Sequence, residues 1–277
     1  MSTQTPSITQ VRDAWDAIAD AFDRHATPQT MAFGEQVLSR LELGRGVRVL
    51  DVAAGSGGLS IPAARTGADV VAVDIAPGMI DRLAARARAE GLATLEARVG
   101  DGAALAFDDD SFDVTVSMNG VSVFPDLPGG LREMARVTRP GGRVLVVAFG
   151  PVQEVEFVAF FLGALRATVP ASLPPSDEPM PPFRLADPAT FQRSLQEAGL
   201  RDVSVETATW QMHTDSADHF LEGVLSTNPI ASQLTAGLTE EEFAQVRDVL
   251  DGMLRERSGG RPGAVLNSQM RIGQATV

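Results

Sequence analysis

The stretch from Val47 to Gly58 reads VRVLDVAAGSGG and carries the pattern that decides the fold. The aliphatic residues of its first half favour a short strand that is covered on both faces, as in a parallel sheet. An acid, Asp51, lies at the end of this strand. The small residues that follow leave backbone N–H groups open to close approach by a ligand. We therefore predict a buried strand, a ligand-binding loop and a helix, in that order.

A second strand pattern follows about 20 residues later, the spacing of a nucleotide-binding βαβ unit. Residues 70–73 read VVAV, and Asp74 comes directly after them. Two adjacent parallel strands, with a small-residue turn after the first and an acid at the tip of the second, form a site for a nucleoside. The loop faces the ligand, and the acid accepts hydrogen bonds from ribose hydroxyls.

Composition limits the class of protein. The chain has 277 residues, 44% of them hydrophobic, and a formal net charge of −13. We find neither an apolar run of membrane-spanning length nor a signal-peptide pattern, so we expect a cytoplasmic protein with one large domain. The acidic balance disfavours nucleic acid and anionic membranes as partners.

Missing residue types exclude several chemistries. The sequence contains no Lys, Cys or Tyr, and all 23 of its basic residues are Arg. Without Lys there is neither a Walker-type phosphate loop nor a Schiff-base lysine for pyridoxal phosphate. Without Cys there is no disulfide, thiolate-bound zinc or iron–sulfur cluster, and we predict no metal site. The Tyr/Lys pair of short-chain dehydrogenases is also absent.

Strand and helix patterns alternate through most of the chain. A capping box at Ser7 begins a helix, and Pro77 begins another that stops near Gly91. Residues 214–257 are also predicted to be helical. This alternation predicts an α/β fold with helices on both faces of a parallel sheet. Strands are predicted near 47–52, 69–74, 94–99, 112–117, 142–149, 201–210 and 265–272.

Four blocks in sequence resemble class I S-adenosylmethionine (SAM) dependent methyltransferases, closest to the ubiquinone/menaquinone-biosynthesis type. They begin at Val49 (VLDVAAGSG), Val71 (VAVDIAPGM), Gly100 (GDGA, with SFDV from Ser111) and Arg139 (RPGG). The resemblance implies a Rossmann-like sheet of seven strands, mostly parallel with the last strand antiparallel and inserted beside the strand near 201–210. It also implies three regions: an N-terminal helical cap (1–46), the SAM-binding core (47–150), and cap insertions with the remaining strands of the same domain (151–277).

The resemblance also implies roles for individual residues. The loop 53–57 would lie under the amino acid part of SAM, with Asp51 near its ammonium. Taken alone, Asp51 could equally be a structural residue that orients the loop. Asp74 would accept from both ribose hydroxyls, and Asp101 from the adenine amine. The full set of implied cofactor contacts is Asp51, Ala53, Gly55, Gly57, Asp74, Ile75, Met79, Gly100, Asp101, Gly102, Ala103, Ser117 and Met118.

Catalytic candidates are few. Asn119 stands where relatives often carry an aromatic residue, and its amide is a candidate contact to the methyl acceptor. Three histidines, His25, His213 and His219, are candidate bases besides the carboxylates. His213 follows the predicted strand 201–210 and is our candidate for the acceptor-side base or orienting group, against its ordinary interpretation as a surface or capping residue. Helix-terminal or structural roles are favoured for the other two.

Three functions of different classes remain open on the sequence alone. The first is methyl transfer from SAM to an apolar or aromatic small molecule, of secondary metabolism or with quinone-like chemistry. The second is a NAD-type oxidoreductase, because Gly55, Gly57 and Ser60 nearly complete its fingerprint, but the third Gly is absent. The third is a SAM-binding fold that serves as a cyclase or a scaffold.

Overall fold

A single mixed β-sheet organises the molecule. The computed structural model describes residues 7–170 and 180–277. In this part of the chain the sheet has seven strands in the order β3-β2-β1-β4-β5-β7-β6. They are β1 (Arg48–Val52), β2 (Asp69–Asp74), β3 (Leu95–Val99), β4 (Phe112–Met118), β5 (Thr138–Phe149), β6 (Arg201–Thr214) and β7 (Ala264–Thr276).

Strand directions follow the expected pattern. Neighbouring strands from β3 to β5 pair in parallel, whereas β7 pairs antiparallel with both β5 and β6. The last strand thus lies between β5 and β6, and the predicted fold class is confirmed. The carboxyl ends of β1, β2 and β4 meet at one edge of the sheet, where parallel sheets of this kind bind ligands.

Helices cover both faces of the sheet and extend beyond its carboxyl edge. Those of the described residues are α1 (Ile8–His25), α2 (Thr27–Leu38), α3 (Ser60–Arg65), α4 (Pro77–Ala89), α5 (Leu127–Val137), α6 (Glu156–Thr168), α7 (Pro188–Glu197), α8 (Ala217–Thr227), α9 (Pro229–Thr235) and α10 (Glu240–Ser258). The predicted capping box is present at α1, where the Ser7 hydroxyl accepts from the Gln10 N–H at 3.3 Å. No helix among the described residues combines the length and the apolarity needed to cross a membrane.

The three largest apolar cores of the described residues hold these layers together. One lies between the sheet and helices α5 and α7, around Leu131 and Phe191. A second lies on the opposite face, where α2 and α3 pack through Val37 and Ala63. The third lies away from β1, β2 and the small-residue loop between them. It joins α6, α8 and α10 around Leu250. This third core gives α6, α8 and α10 their own packing, so they can form one wall of a site.

Three strand boundaries differ from the prediction. β7 ends at Thr276, not near 272, because it pairs with β5 and β6 to its end, and the other two boundaries lie in β5 and β6. β5 begins at Thr138, not near 142, and residues 139–142 interrupt its pairing with β4, because Phe112 pairs with Thr138 but Val114 pairs with Arg143. β6 continues to Thr214 instead of ending near 210, since β7 supplies hydrogen-bond partners along its whole length. His213 therefore lies within β6 and not after it. Each of these boundaries is set by pairing with a strand that is distant in the sequence.

Candidate functional site

One cavity joins the carboxyl edge of the sheet to the surrounding helices. Its volume is about 670 Å³, within the range of roughly 300–1,000 Å³ typical of small-molecule sites. Predicted site residues on its wall are Asp51, Ala53, Gly55, Asp74, Ile75, Met79, Met118, Asn119 and His213. The helices α1, α2, α8 and α9 supply much of the remaining wall. The cavity is therefore bounded by the strand–loop pattern on one side and by the predicted cap on the other.

Asp74 connects the two strands of the nucleoside pattern. It ends β2 and is only 8% exposed. One carboxylate oxygen accepts a hydrogen bond from the Gly55 N–H at 2.8 Å, and the other accepts from the Ala76 N–H at 2.9 Å. Burial raises the pKa of this carboxyl, and the backbone hydrogen bonds partly offset that effect. Each oxygen keeps a lone pair, so Asp74 can position the loop and still accept from a ligand.

Asp51 is a buried acid at the cavity wall. The Ser60 hydroxyl donates to its carboxylate at 2.5 Å. Burial raises the pKa of Asp51 to about 7, the negative charge of nearby Asp74 adds to the shift, and the Ser60 hydrogen bond counteracts it. Among the described residues, no arginine lines this cavity. The site thus holds two buried carboxyls without a protein cation, which suits a positively charged ligand.

The small-residue loop adopts backbone conformations that restrict its sequence. Gly57 has φ +109°, and a Cβ built there would lie 2.8 Å from Cγ1 of Ile61. Ala53 has φ +58°, so an alanine in this loop occupies the left-handed region. The Ser56 hydroxyl is hydrogen-bonded to that of Thr27 at the start of α2. The loop is therefore fixed by the helix above it as well as by the strands below it.

Two predicted site residues at the end of β4, Ser117 and Asn119, differ in their position relative to the cavity. The Ser117 hydroxyl donates to the Val52 carbonyl at 2.8 Å and accepts from the Val121 N–H at 3.1 Å, fully buried. Ser117 thus joins the ends of β1 and β4 and does not line the cavity. Asn119 lines it, with φ +58° and its backbone N–H bonded to the Val147 carbonyl at 2.8 Å. Its side-chain oxygen is buried without a hydrogen-bond partner.

The segment predicted to contact adenine lies outside the cavity wall. Asp101 accepts from the Ala103 N–H at 2.9 Å, so it stabilises a turn. Gly102 packs under Phe124, and a Cβ at Gly102 would lie 2.5 Å from the tip of that ring. Phe124 itself lines the cavity. Gly100 and Ala103, like Asp101 and Gly102, are absent from the lining, and their contact to adenine stays a prediction.

The three histidines differ in their surroundings. The exposed His213 shares the face of β6 that carries Thr209 and Gln211, since side chains alternate along a strand. It reaches the rim of the main cavity and also borders a second cavity beside Arg257 and Arg261. His219 accepts from the Asp215 N–H through Nδ1 at 3.2 Å. His25, the last residue of α1, lines the main cavity.

Sequence reasoning missed an aromatic part of the cavity wall. The rings of Phe157 and Trp210 meet edge to face with centroids 5.9 Å apart, and Phe149 meets Phe157 at 5.8 Å. All three line the cavity, as does Gln29, whose side-chain oxygen is buried without a partner. No pattern in the sequence singled out Gln29.

Comparison with known proteins identifies the core. Residues 49–142 match the family described as "Methyltransferase domain". An uncharacterised protein of Mycobacterium tuberculosis (strain H37Rv) is 41% identical over 143 residues, which cover 52% of each chain. Nocamycin O-methyltransferase of Saccharothrix syringae is 36% identical over 155 residues, 55% of each chain. The chain therefore spans about half the length of the curated relatives it matches.

Similarity of the fold extends further. The crystal structure of the [4+2]-cyclase SpnF is similar with a TM-score of 0.63 at 17% sequence identity, over 98% of this chain and 97% of that one. The fold is thus similar over nearly the whole chain, whereas the match to the methyltransferase domain model covers residues 49–142. Residues 49–142 of this chain are therefore similar in sequence to the methyltransferase domain family.

Proposed function

We propose that this protein transfers a methyl group from SAM to an uncharged, apolar or aromatic small molecule. The observation that carries the proposal is one cavity lined both by two buried carboxyls at the glycine loop and by a cluster of aromatic rings. The methyltransferase domain match supports the cofactor. The similarity to nocamycin O-methyltransferase supports an acceptor from secondary metabolism, and a quinone-like ring would suit the same wall.

The residues present suit SAM as the cofactor. Asp74 can accept from the ribose hydroxyls, and the buried Asp51 can stabilise the ammonium, since both carboxyls lack a protein cation. Ile75 and Met79 offer apolar surface to the adenine. Bound SAM supplies an electrophilic methyl group on a sulfonium. The protein's part is then to align the acceptor with that methyl and to exclude water, which is how proximity accelerates a displacement.

The acceptor is proposed to be a small molecule and not a nucleic acid. The net charge of −13 gives no attraction for a polyanion. Within the described residues, the cavity wall is mainly apolar and includes the rings of Phe149, Phe157 and Trp210. Burying such surface against an apolar acceptor is favourable by about 25 cal/mol per Å².

A titration and an acceptor screen test this function. Calorimetric titration should give saturable binding of SAM and none of NADH, because Asp74 alone does not complete the NAD fingerprint. Incubation with methyl-labelled SAM and a panel of phenols, quinols and polyketides, read by mass spectrometry, should yield a labelled product. Binding of NADH in place of SAM would support the oxidoreductase alternative. Binding of SAM with no labelled product from any acceptor would support a cyclase or a scaffold.

The affinity for SAM should depend on pH through Asp51. The pKa of this carboxyl is raised to about 7 without ligand, and a bound cation lowers it, so binding below pH 7 releases a proton. We expect the dissociation constant of SAM to fall as the pH rises from 5.5 to 8. Calorimetry in buffers of different ionisation enthalpy measures the released proton.

Asp51→Asn is the matched control for this pH dependence. It preserves the shape of the side chain and the hydrogen bond with Ser60, but it cannot titrate. The variant should bind SAM more weakly and with little pH dependence over the same range. Equal proton release by the variant and the wild type would assign the titration to another group.

His213 remains our candidate base, and its substitution gives a defined result. If the imidazole takes the acceptor's proton, His213→Ala should lower kcat about 100-fold, with SAM affinity unchanged. His25→Ala serves as the comparison, because His25 also lines the cavity. Turnover within a few-fold of wild type in His213→Ala would instead indicate catalysis by alignment alone. That outcome would agree with the exposed position of His213 on the Thr209 face of β6.

A further inference from the structure

Two side-chain oxygens at the cavity stand out because they are buried and unpaired. They are Oε1 of Gln29 and Oδ1 of Asn119, and neither has a hydrogen-bond partner among the described residues. Both residues line the main cavity. A buried acceptor left without a donor costs about 1–3 kcal/mol. A ligand that donates hydrogen bonds to these oxygens would remove that cost.

Gln29 is held in place by the first turn of α2. Its amide nitrogen donates to the His25 carbonyl at 3.2 Å, which leaves the amide oxygen free. The same turn is fixed on the glycine loop by the hydrogen bond between Thr27 and Ser56. The oxygen of Gln29 is therefore fixed relative to the loop that is proposed to hold the cofactor.

Asn119 is fixed on another side of the same loop. Its backbone N–H donates to the Val147 carbonyl at 2.8 Å, and its carbonyl accepts from the Ser122 hydroxyl at 3.2 Å. The next residue, Gly120, packs so closely on Ala53 that a Cβ there would lie 2.4 Å from the alanine methyl. The two amide oxygens thus belong to rigid segments that flank residues 53–58.

The charges of the cavity indicate which donor suits these oxygens. A cationic group of the cofactor is better stabilised by Asp51 and Asp74, which are ionisable and buried. Neutral amide oxygens are left for a neutral donor. Because no described arginine lines the cavity, a carboxylate or phosphate on the buried part of the acceptor would lack a partner.

We propose that the amide oxygens of Gln29 and Asn119 each accept a hydrogen bond from a hydroxyl group of an uncharged acceptor, and that they set the protein's preference for hydroxylated apolar molecules. This inference rests on the proposed function, because it assigns the acceptor's half of the same cavity. The aromatic wall of Phe149, Phe157 and Trp210 would bind the apolar body of the acceptor. The amide oxygens would select its polar group and fix its orientation toward the methyl donor.

Matched pairs of probes test the proposal on the SAM-bound protein. We would measure binding of 2-naphthol against naphthalene and of farnesol against farnesene. Each probe has one hydroxyl, so wild type should prefer the hydroxylated member of at least one pair about 10-fold, the value of one net hydrogen bond. Gln29→Met combined with Asn119→Gly should reduce this ratio to within about twofold of 1. Glycine is chosen because Asn119 has φ +58°.

Two controls keep the interpretation specific. The double variant should bind SAM within threefold of wild type, and Gln196→Met, an exposed amide on α7, should change neither measurement. A loss of SAM affinity greater than 10-fold would assign the oxygens to the cofactor and overturn the proposal. A wild type with no preference for either hydroxylated probe would also overturn it. Normal SAM binding would distinguish both of these results from a failure of the proposed function, in which SAM itself does not bind.

Discussion

Replacing Asp74 with alanine should weaken the binding of SAM about 30- to 150-fold, which corresponds to about 2–3 kcal/mol. The variant loses the acceptor proposed for the ribose hydroxyls. It also leaves the N–H groups of Gly55 and Ala76 without the carboxylate that now accepts from them at 2.8 and 2.9 Å. Cofactor contact and loop position are therefore lost together. Isothermal titration calorimetry with SAM measures the effect directly.

Two further variants separate these contributions. Asp74→Asn retains a carbonyl oxygen but not the charge, so its affinity should lie between wild type and Asp74→Ala. Asp101→Ala should weaken the binding of SAM by less, about 1–2 kcal/mol. Asp101 accepts from the Ala103 N–H within its own turn and lies outside the cavity wall. An unchanged dissociation constant in a folded Asp74→Ala protein would contradict the assignment of the ribose site.

The second large effect is expected at Gly57. Gly57→Ala should lower the free energy of unfolding by about 2–4 kcal/mol, the sum of a left-handed backbone and an overpacked contact. The reason is that φ is +109° and the new Cβ would lie 2.8 Å from Ile61 and 3.4 Å from Leu83. Both neighbours are buried and cannot swing into solvent. Denaturant unfolding with an unchanged m-value would measure the loss.

Gly55→Ala is the matched control within the same loop. Gly55 also has a positive φ, +55°, but the nearest atom to a new Cβ is Cε1 of Phe22 at 3.7 Å, an ordinary contact. Gly55→Ala should therefore lower the free energy of unfolding by about 1–2 kcal/mol, from the left-handed conformation alone. Ala53, with φ +58°, already tolerates that conformation in this loop. Equal losses of unfolding free energy in Gly55→Ala and Gly57→Ala would show that the contact with Ile61 does not destabilise Gly57→Ala.

Parts of the site were accessible from local sequence. Each strand of the nucleoside pattern is a short aliphatic run followed by an acid, and both acids are found at the carboxyl edge of the sheet as predicted. The reason is general: parallel neighbours bring their carboxyl ends to one edge, so local patterns suffice to bring Asp51 and Asp74 to one cavity. The position of β7 between β5 and β6 came instead from the family resemblance and is confirmed.

Other parts depended on segments far apart in the chain. The end of β6 was predicted too early because its last residues are paired only with β7, as His213 is with Val265. The same pairing fixes which face of β6 each side chain takes, and so it separates His213 from Trp210 and Met212. A single sequence carries no record of such partners.

The sequence by itself determined the class of fold, the loop and the two acids, because these follow from short-range periodicity and from the few conformations that small residues and parallel strands allow. Only the tertiary structure decided the raised pKa of Asp51, the unpaired oxygens of Gln29 and Asn119, and the aromatic wall. Desolvation and hydrogen-bond pairing depend on everything that surrounds a group in space, and here the surroundings come from both ends of the chain.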